Sequence, residues 1–554
     1  MPLDRIAARL RHRIPATAWA AFLSCFLSGY LIHLFAFTNL IPNSDGLSRV
    51  FDPQQMTVSG RWFLHYASAL NSFTQMPALI GFLSIVFLSL AAAAAVLTLG
   101  LHSRTLSALA GVLMAAFPCL GYTFLYMFTA SAYCLAILLA VLSVWLAQKG
   151  GWPRSLAACL LLALSMGIYQ AYAAVAVSLS VLAVLRACLD HRAGWKDTLR
   201  LGLRLMGVLA AGAALYYGLL QLFLSVKGLE LLSYLGMSQA GGGYPVAQLP
   251  RLILSAYKQV LVFFFLPGSS SPFTTPVLVL LDLLALALGA LFCFTALTRR
   301  SLWKQPWRPV GGLVMVALLP LAAGFAQVIA PFSDATPIMK YAYVSIYLAV
   351  VLAADLGLSL LPRPRGTAAG SWAVAGCLVC LCLYGANINN LLYTASAQAH
   401  RATLSYATRL LSRIESCPGY TSEEEVVIIG SFPTDRIYAS IESYALVDHY
   451  SVPMDTVAPL NKHIYYYLND WLNVPLEEPD EETMKSVSQS AAFRRMPLYP
   501  ADGSVQRIDD RIVVKIQKEY TPKSGYELAY ENRSRSTGSC DPPHRTAVRG
   551  ASRL

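Results

Sequence analysis

Charge is what this chain of 554 residues has least of. Asp, Glu, Lys and Arg make up 13% of it, against 56% hydrophobic residues, and a soluble domain carries roughly 25% charged residues. Together with a mean hydropathy of +0.52, that deficit excludes an ordinary soluble protein. The chain also has no GxxxxGK followed by Ser or Thr, no GxSxG and no HExxH, which argues against an ATP-driven pump and against use of a nucleotide sugar in the cytosol. Cysteine outside apolar sequence is scarce. Of 11 cysteines only Cys417 and Cys540 fall in polar stretches, so the sequence allows one disulfide and no disulfide framework. Cys377, Cys380 and Cys382 share one apolar run without His or carboxylate neighbours and read as small hydrophobes, not as metal ligands.

What the chain does have is apolar runs of the length that crosses a bilayer core of roughly 30 Å. They fall at about 17–38, 77–99, 105–121, 124–147, 155–169, 171–187, 205–226, 276–298, 310–330, 338–361 and 372–389. The expectation is an α-helical polytopic membrane protein of about eleven transmembrane helices. The stretch 155–189 is split because Gly167, Tyr169, Gln170 and Tyr172 interrupt it.

Charge tests the split. The net charge of +12 is concentrated in short segments between apolar runs and is read as a topology signal, not a nucleic-acid surface. With eleven spans, the basic N-terminus (1–16), 100–104, 148–154, 188–204, 299–309 and 362–371 share one side, and that side holds Arg299, Arg300, Lys304 and Arg308. The positive-inside rule makes it cytoplasmic. The loops 39–76 and 227–275, and everything beyond 389, then lie outside the cytoplasm. Leaving 155–189 unsplit would put the Arg299 cluster outside.

Beyond Asn389 the composition changes. Ala397 to Ile414 reads as an amphipathic helix, Glu425 to Ile429 and Arg511 to Ile516 as strands, and Leu476 to Glu482 as an acidic solvated loop. The expectation is a small extracytoplasmic α/β domain over 390–520, followed by a disordered tail over 521–554. His463, Tyr465, Tyr466, Tyr467 and Trp471 form an aromatic cluster suited to carbohydrate contact or to an ordinary core.

An ion pump or transporter needs ionisable residues at mid-span, where the sequence offers Asp282, with Asp355 and Lys340 nearer span ends. The first outer loop is richer, with Asp45, Arg49, Asp52 and Arg61 directly after the first span. A carboxylate there can accept a proton from a sugar hydroxyl, and an arginine can hold a lipid phosphate through two parallel hydrogen bonds. The bland alternatives are an Asx-turn at Asp45 and a helix cap at Asp52. The loop 227–275, with Arg251 and Lys258 at helical spacing, suits either a mobile cover or a re-entrant packing segment.

Four features together resemble the GtrII-like family of bacterial membrane glucosyltransferases, of GT-C architecture. They are the Asp-bearing first loop ending in Ser59-Gly60-Arg61-Trp62, Tyr126-Met127-Phe128-Thr129-Ala130 opening a span, Gly167-Ile168-Tyr169-Gln170-Ala171-Tyr172, and a terminal α/β domain entered through a helix rich in Ala, Tyr and Arg. The resemblance covers most of 17–518. It implies a hexose, glucose above all, carried on polyprenyl phosphate and passed to an extracytoplasmic envelope glycan. It makes Asp45 the general base and Arg61, with Arg49 or Lys340, the cations facing the leaving phosphate. Asp52, Trp62, Tyr169 and Gln170 complete the implied substrate contacts. Ser44 stands where such loops often carry a second acid, and Ser131 where an acidic residue is expected, so a divalent cation is left open. The competing classes are a polysaccharide or lipid-carrier transporter, centred on Asp282, and a non-catalytic scaffold of a glycan-assembly complex.

Overall fold

A computed structural model describes residues 14–42, 51–231, 249–266, 274–329, 336–358, 360–361, 364–432 and 464–520. They are mostly helical with one small sheet, and they form two compact units that divide in sequence between His400 and Arg401.

The described residues of each expected apolar run are mainly helical in the first unit. Among the described residues eight helices are long and apolar enough to cross a membrane, or nine if the bent pair Arg104–Ala116 and Cys119–Leu125 is one span. Trp152–Ile168 and Trp307–Ala323 are shorter apolar helices. Small residues let the first helices pack closely. A Cβ on Gly111 would come within 2.4 Å of the Ala21 carbonyl oxygen, a backbone approach typical of helix packing in lipid. Ser24 donates to the Ala108 carbonyl and His33 to that of Ala115, so Ala16–Thr38 and Arg104–Ala116 run in the same direction.

The short segments rich in basic residues meet at one end of this unit. Asp355, at the end of Val344–Leu358, accepts the backbone N–H of His102 at 3.0 Å and of Ser103 at 2.8 Å, a negative charge at the N-terminus of Arg104–Ala116. The Arg186 guanidinium lies directly against Gly100, and that of Arg204 against Gly150. Arg308, only 2% exposed, donates to the carbonyls of Cys188, Asp190, His191 and Ala193. Arg300 donates to that of Leu189. The carbonyls left over where Ala173–Leu189 ends are therefore met by the arginines that the sequence offers as topology signals.

Two expected helical segments gain definition. The loop 227–275 contains a helix, Leu249–Phe265, packed against Trp307–Ala323. Its buried residues Leu252, Ala256, Val260 and Phe263 fall three or four apart, which is one helical stripe. The amphipathic helix expected over 397–414 is the continuation of the last span as Pro364–Glu415, because no Gly or Pro interrupts 386–417.

The second unit holds a sheet of order β1-β3-β2. β1 (Val426–Ile429) pairs parallel with β3 (Arg511–Lys515), and β2 (Val505–Ile508) pairs antiparallel with β3. Asp480, within the expected acidic loop 476–482, caps Glu481–Gln489 by accepting the Thr483 N–H at 2.7 Å, so the last two residues of that stretch are helical and not loop. Tyr465 is turned inward, donating to the Val426 carbonyl and accepting from the Ile428 N–H. Tyr467 is buried beside Phe432. Lys515 is also buried, and its ammonium donates to the carbonyls of Phe493, Arg494 and Met496. Cys417 is a buried free thiol; Cys540 and His463 lie outside the described residues.

Candidate active site

Opposite the basic end, several helices break. Arg104–Ala116 stops at Phe117-Pro118, Cys119–Leu125 gives way to Met127–Lys149 at Tyr126, Trp152–Ile168 stops at Tyr169, and Val344–Leu358 is preceded by the tight 3-10 turn Pro337–Tyr343. Irregular backbone at membrane depth is tolerated where protein buries it or where it lines a cavity. Here the breaks touch one another, for Pro337–Tyr343 packs on both Cys119–Leu125 and Gln170–Tyr172.

Side chains from remote elements satisfy the freed carbonyls. At the end of Arg104–Ala116, Met114 accepts from the Tyr341 hydroxyl at 2.9 Å, Ala115 from His33 Nε2 at 2.9 Å, and Ala116 from the Asn389 amide at 3.1 Å. His33 thus carries its proton on Nε2, and Nδ1 faces the Tyr393 hydroxyl at 2.6 Å.

A turn within the first outer loop docks on the break between Trp152–Ile168 and Ala173–Leu189. Thr57–Ser59 forms one 3-10 turn closed by Gly60 at φ 80°, a conformation that favours glycine. Phe63 N–H donates to the Gly167 carbonyl at 2.8 Å. The Trp62 indole lies against Gly167, where a Cβ would come within 2.7 Å of the ring, and stacks on Phe223 at 5.2 Å. Gln170 donates to the Ser59 carbonyl and to the Tyr216 hydroxyl, both at 3.0 Å, and Tyr216 donates to the Gly60 carbonyl at 3.0 Å. Between these anchors stands Arg61, half-buried. Its guanidinium donates to the Tyr133 hydroxyl at 3.2 Å and lies 4.8 Å over the Tyr169 ring. Tyr169 in turn stacks on Tyr133 at 4.5 Å. A planar cation braced on aromatic faces keeps a fixed orientation, and its fork matches a phosphate.

The structure thus brings Arg61, Trp62, Tyr169 and Gln170 into one cluster. Trp62, Tyr169 and Gln170 are all buried. Asp52 is half-buried and tied locally, its Oδ1 accepting the Gln54 N–H at 2.8 Å and its own N–H donating to the Phe73 carbonyl. Lys340 is 5% exposed, so it does not extend along the lipid surface towards water. Asp45 and Arg49 lie outside the described residues. Among the described residues no three His, Cys, Asp or Glu side chains gather to hold a metal ion.

Sequence reasoning missed Tyr133, Tyr216, His33 and Asn389. Each is a polar side chain within an apolar helix, and only the position of its distant carbonyl or guanidinium partner gives it a role. His65 is also new, its Nδ1 donating to the Pro53 carbonyl at 2.6 Å while its ring stacks on Phe73.

No curated protein and no solved structure matches the chain. Residues 34–353, more than half of it, match the family described as glucosyl transferase GtrII. The matched region contains the turn of Arg61, the Tyr169 break and the Pro337–Tyr343 turn, and the chain belongs to that glucosyltransferase family as a protein of the membrane.

Proposed function

We propose that this membrane glycosyltransferase moves a hexose, glucose in the first instance, from polyprenyl phosphate to an envelope glycan on the outer side of a bacterial cytoplasmic membrane. The observation that supports this reading best is the braced guanidinium of Arg61, set where broken helices converge and in the same outer loop as Asp45. In the proposed step the acceptor hydroxyl oxygen bonds to the anomeric carbon as the bond from that carbon to the phosphate oxygen breaks. The hydroxyl proton passes to the Asp45 carboxylate, and the electron pair leaves on the carrier phosphate. Base catalysis of this kind supplies about 10² to 10⁴ in rate. Arg61, with Arg49 or Lys340, offsets the charge that develops on the phosphate.

A small extracytoplasmic domain over 390–520 and a cytoplasmic N-terminus complete the proposal. The positive-inside rule supports that orientation, since the basic segments gather at the end away from Arg61. The transport alternative would rest on Asp282, yet this carboxylate is buried and accepts the Tyr347 hydroxyl at 2.6 Å, which ties Pro276–Arg299 to Val344–Leu358.

The test is the sugar composition of envelope polysaccharide from cells with the wild-type protein, a deletion, and Asp45→Asn at equal protein level. Loss of the same hexose from deletion and variant, with the polymer still exported, is the expected result. A variant that matches wild type while the deletion blocks export altogether would sink the catalytic reading.

A further inference from the structure

The Arg61 turn is held from outside by a relay of donors that all point the same way. One N–H of Gln170 goes to the Ser59 carbonyl and the other to the Tyr216 oxygen, and the Tyr216 O–H goes on to the Gly60 carbonyl. Gln170 is 6% exposed and Tyr216 is 6% exposed, so water does not readily replace either group. The two carbonyls that receive these bonds directly precede Arg61, in a turn closed from within by the Gly60 N–H on the Thr57 carbonyl and the Arg61 N–H on the Met56 carbonyl, bonds that engage neither the Ser59 nor the Gly60 oxygen. Loss of the Tyr216 hydroxyl leaves the Gly60 carbonyl without that donor, and an unmet buried carbonyl is costly enough to move a short turn.

We infer that Tyr216 and Gln170 are positioning residues: they lock the Ser59-Gly60 carbonyls and so fix the direction in which Arg61 presents its guanidinium to the phosphate of the lipid carrier. Tyr216 lies in Trp195–Lys227 and Gln170 at the break before Ala173–Leu189, so two helices from separate parts of the chain set the aim of one cation. The inference rests on the proposed role of Arg61 and assigns Gln170 to the backbone instead of the sugar. A phosphate bound through two parallel hydrogen bonds is sensitive to the angle of the fork, which is why a neutral contact behind the turn affects binding in front of it.

The test is a double-mutant cycle on the full-length protein in lipid nanodiscs, read as the Kd of a short polyprenyl phosphate, citronellyl phosphate, with the thermal midpoint of each variant measured alongside. Arg61→Gln is expected to weaken binding about tenfold or more. Tyr216→Phe is expected to weaken it about fivefold, the effect of one buried hydrogen bond, and to add nothing in the Arg61→Gln background. A purely structural tyrosine would lower the thermal midpoint and weaken binding by the same factor in both backgrounds, and that outcome overturns the inference. So does wild-type affinity in Tyr216→Phe. If Arg61→Gln binds the probe as wild type does, the assignment of the phosphate to Arg61 fails first, a pattern distinct from an additive cycle. Should Tyr216→Phe not fold, Gln170→Met completes the same cycle with the same expected non-additivity.

Discussion

At the basic end of the helical unit, helix termini are satisfied by ions; at the opposite end the same task falls mainly to neutral groups. Arg308 and Arg300 meet the carbonyls after Ala173–Leu189, and Asp355 meets the amides before Arg104–Ala116. At the other end Tyr341, His33, Asn389, Gln170 and Tyr216 do this work. The difference follows from the cost of charge. Arg308, itself 2% exposed, is compensated by four carbonyls at once, whereas an ion at a helix centre in lipid without such partners costs about 2.5 to 3.5 kcal/mol. A hydroxyl or amide satisfies a carbonyl without that penalty. Within this largely neutral surround stand two cations, Arg61, half-buried, and Lys340, buried.

The contrast is sharpest if the two best-braced arginines are exchanged for glutamine. Arg61→Gln is expected to lower transfer from lipid-linked donor about 10² to 10³-fold with the thermal midpoint within a degree or so of wild type. Arg308→Gln is expected to lower the midpoint by several degrees, because four carbonyls lose a charged donor, with activity per folded molecule within about twofold of wild type. Swapped outcomes would mean that the ends had been assigned the wrong roles.

A smaller effect should come from the neutral end itself. Asn389→Leu and His33→Phe each remove one donor from adjacent carbonyls and should each cost about 1 to 2 kcal/mol of stability in detergent. Because Ala115 and Ala116 are neighbours in one terminus, the double variant should cost less than the sum. A strictly additive pair would show that the two bonds form independently.

The smallest effect lies in the second unit. The Thr483 backbone N–H, followed by its hydroxyl, holds the Asp480 carboxyl below its ordinary value. The cap is therefore fully present above the unfolded value of about 3.9 and is lost as pH falls through the lower folded value. Asp480→Asn cannot titrate, so the stability difference between wild type and variant should shrink as an unfolding series descends from pH 5 to pH 2. A difference independent of pH would remove the charge from the explanation.

Legibility in the sequence divided along a similar line. Helices were visible because apolar length is a local property, and the split at Gly167 to Tyr172 was visible because polar residues interrupt an apolar run. Leu249–Phe265 was legible only as helical spacing between Arg251 and Lys258, because those charges lower its apolarity although its buried stripe is regular. β2 is four residues long and partly exposed, so it has neither the alternation nor the apolar run that marked β1 and β3. Within the site, Arg61 and Tyr169 could be picked out as unusual residues for their surroundings. Tyr216 and Asn389 could not, since a hydrogen bond spanning 156 or 273 residues leaves no local trace.

The terminus at Ala116 bears on how the protein is made. In a chain inserted from its N-terminus, His33 is already present when Arg104–Ala116 enters the bilayer, but Tyr341 and Asn389 arrive 227 and 273 residues after the carbonyls they will cap. Until then the Pro118 break must be hydrated or held by the insertion machinery. Truncations before Asn389 should therefore persist as substrates for membrane quality control, even though most of the helices have already been synthesised.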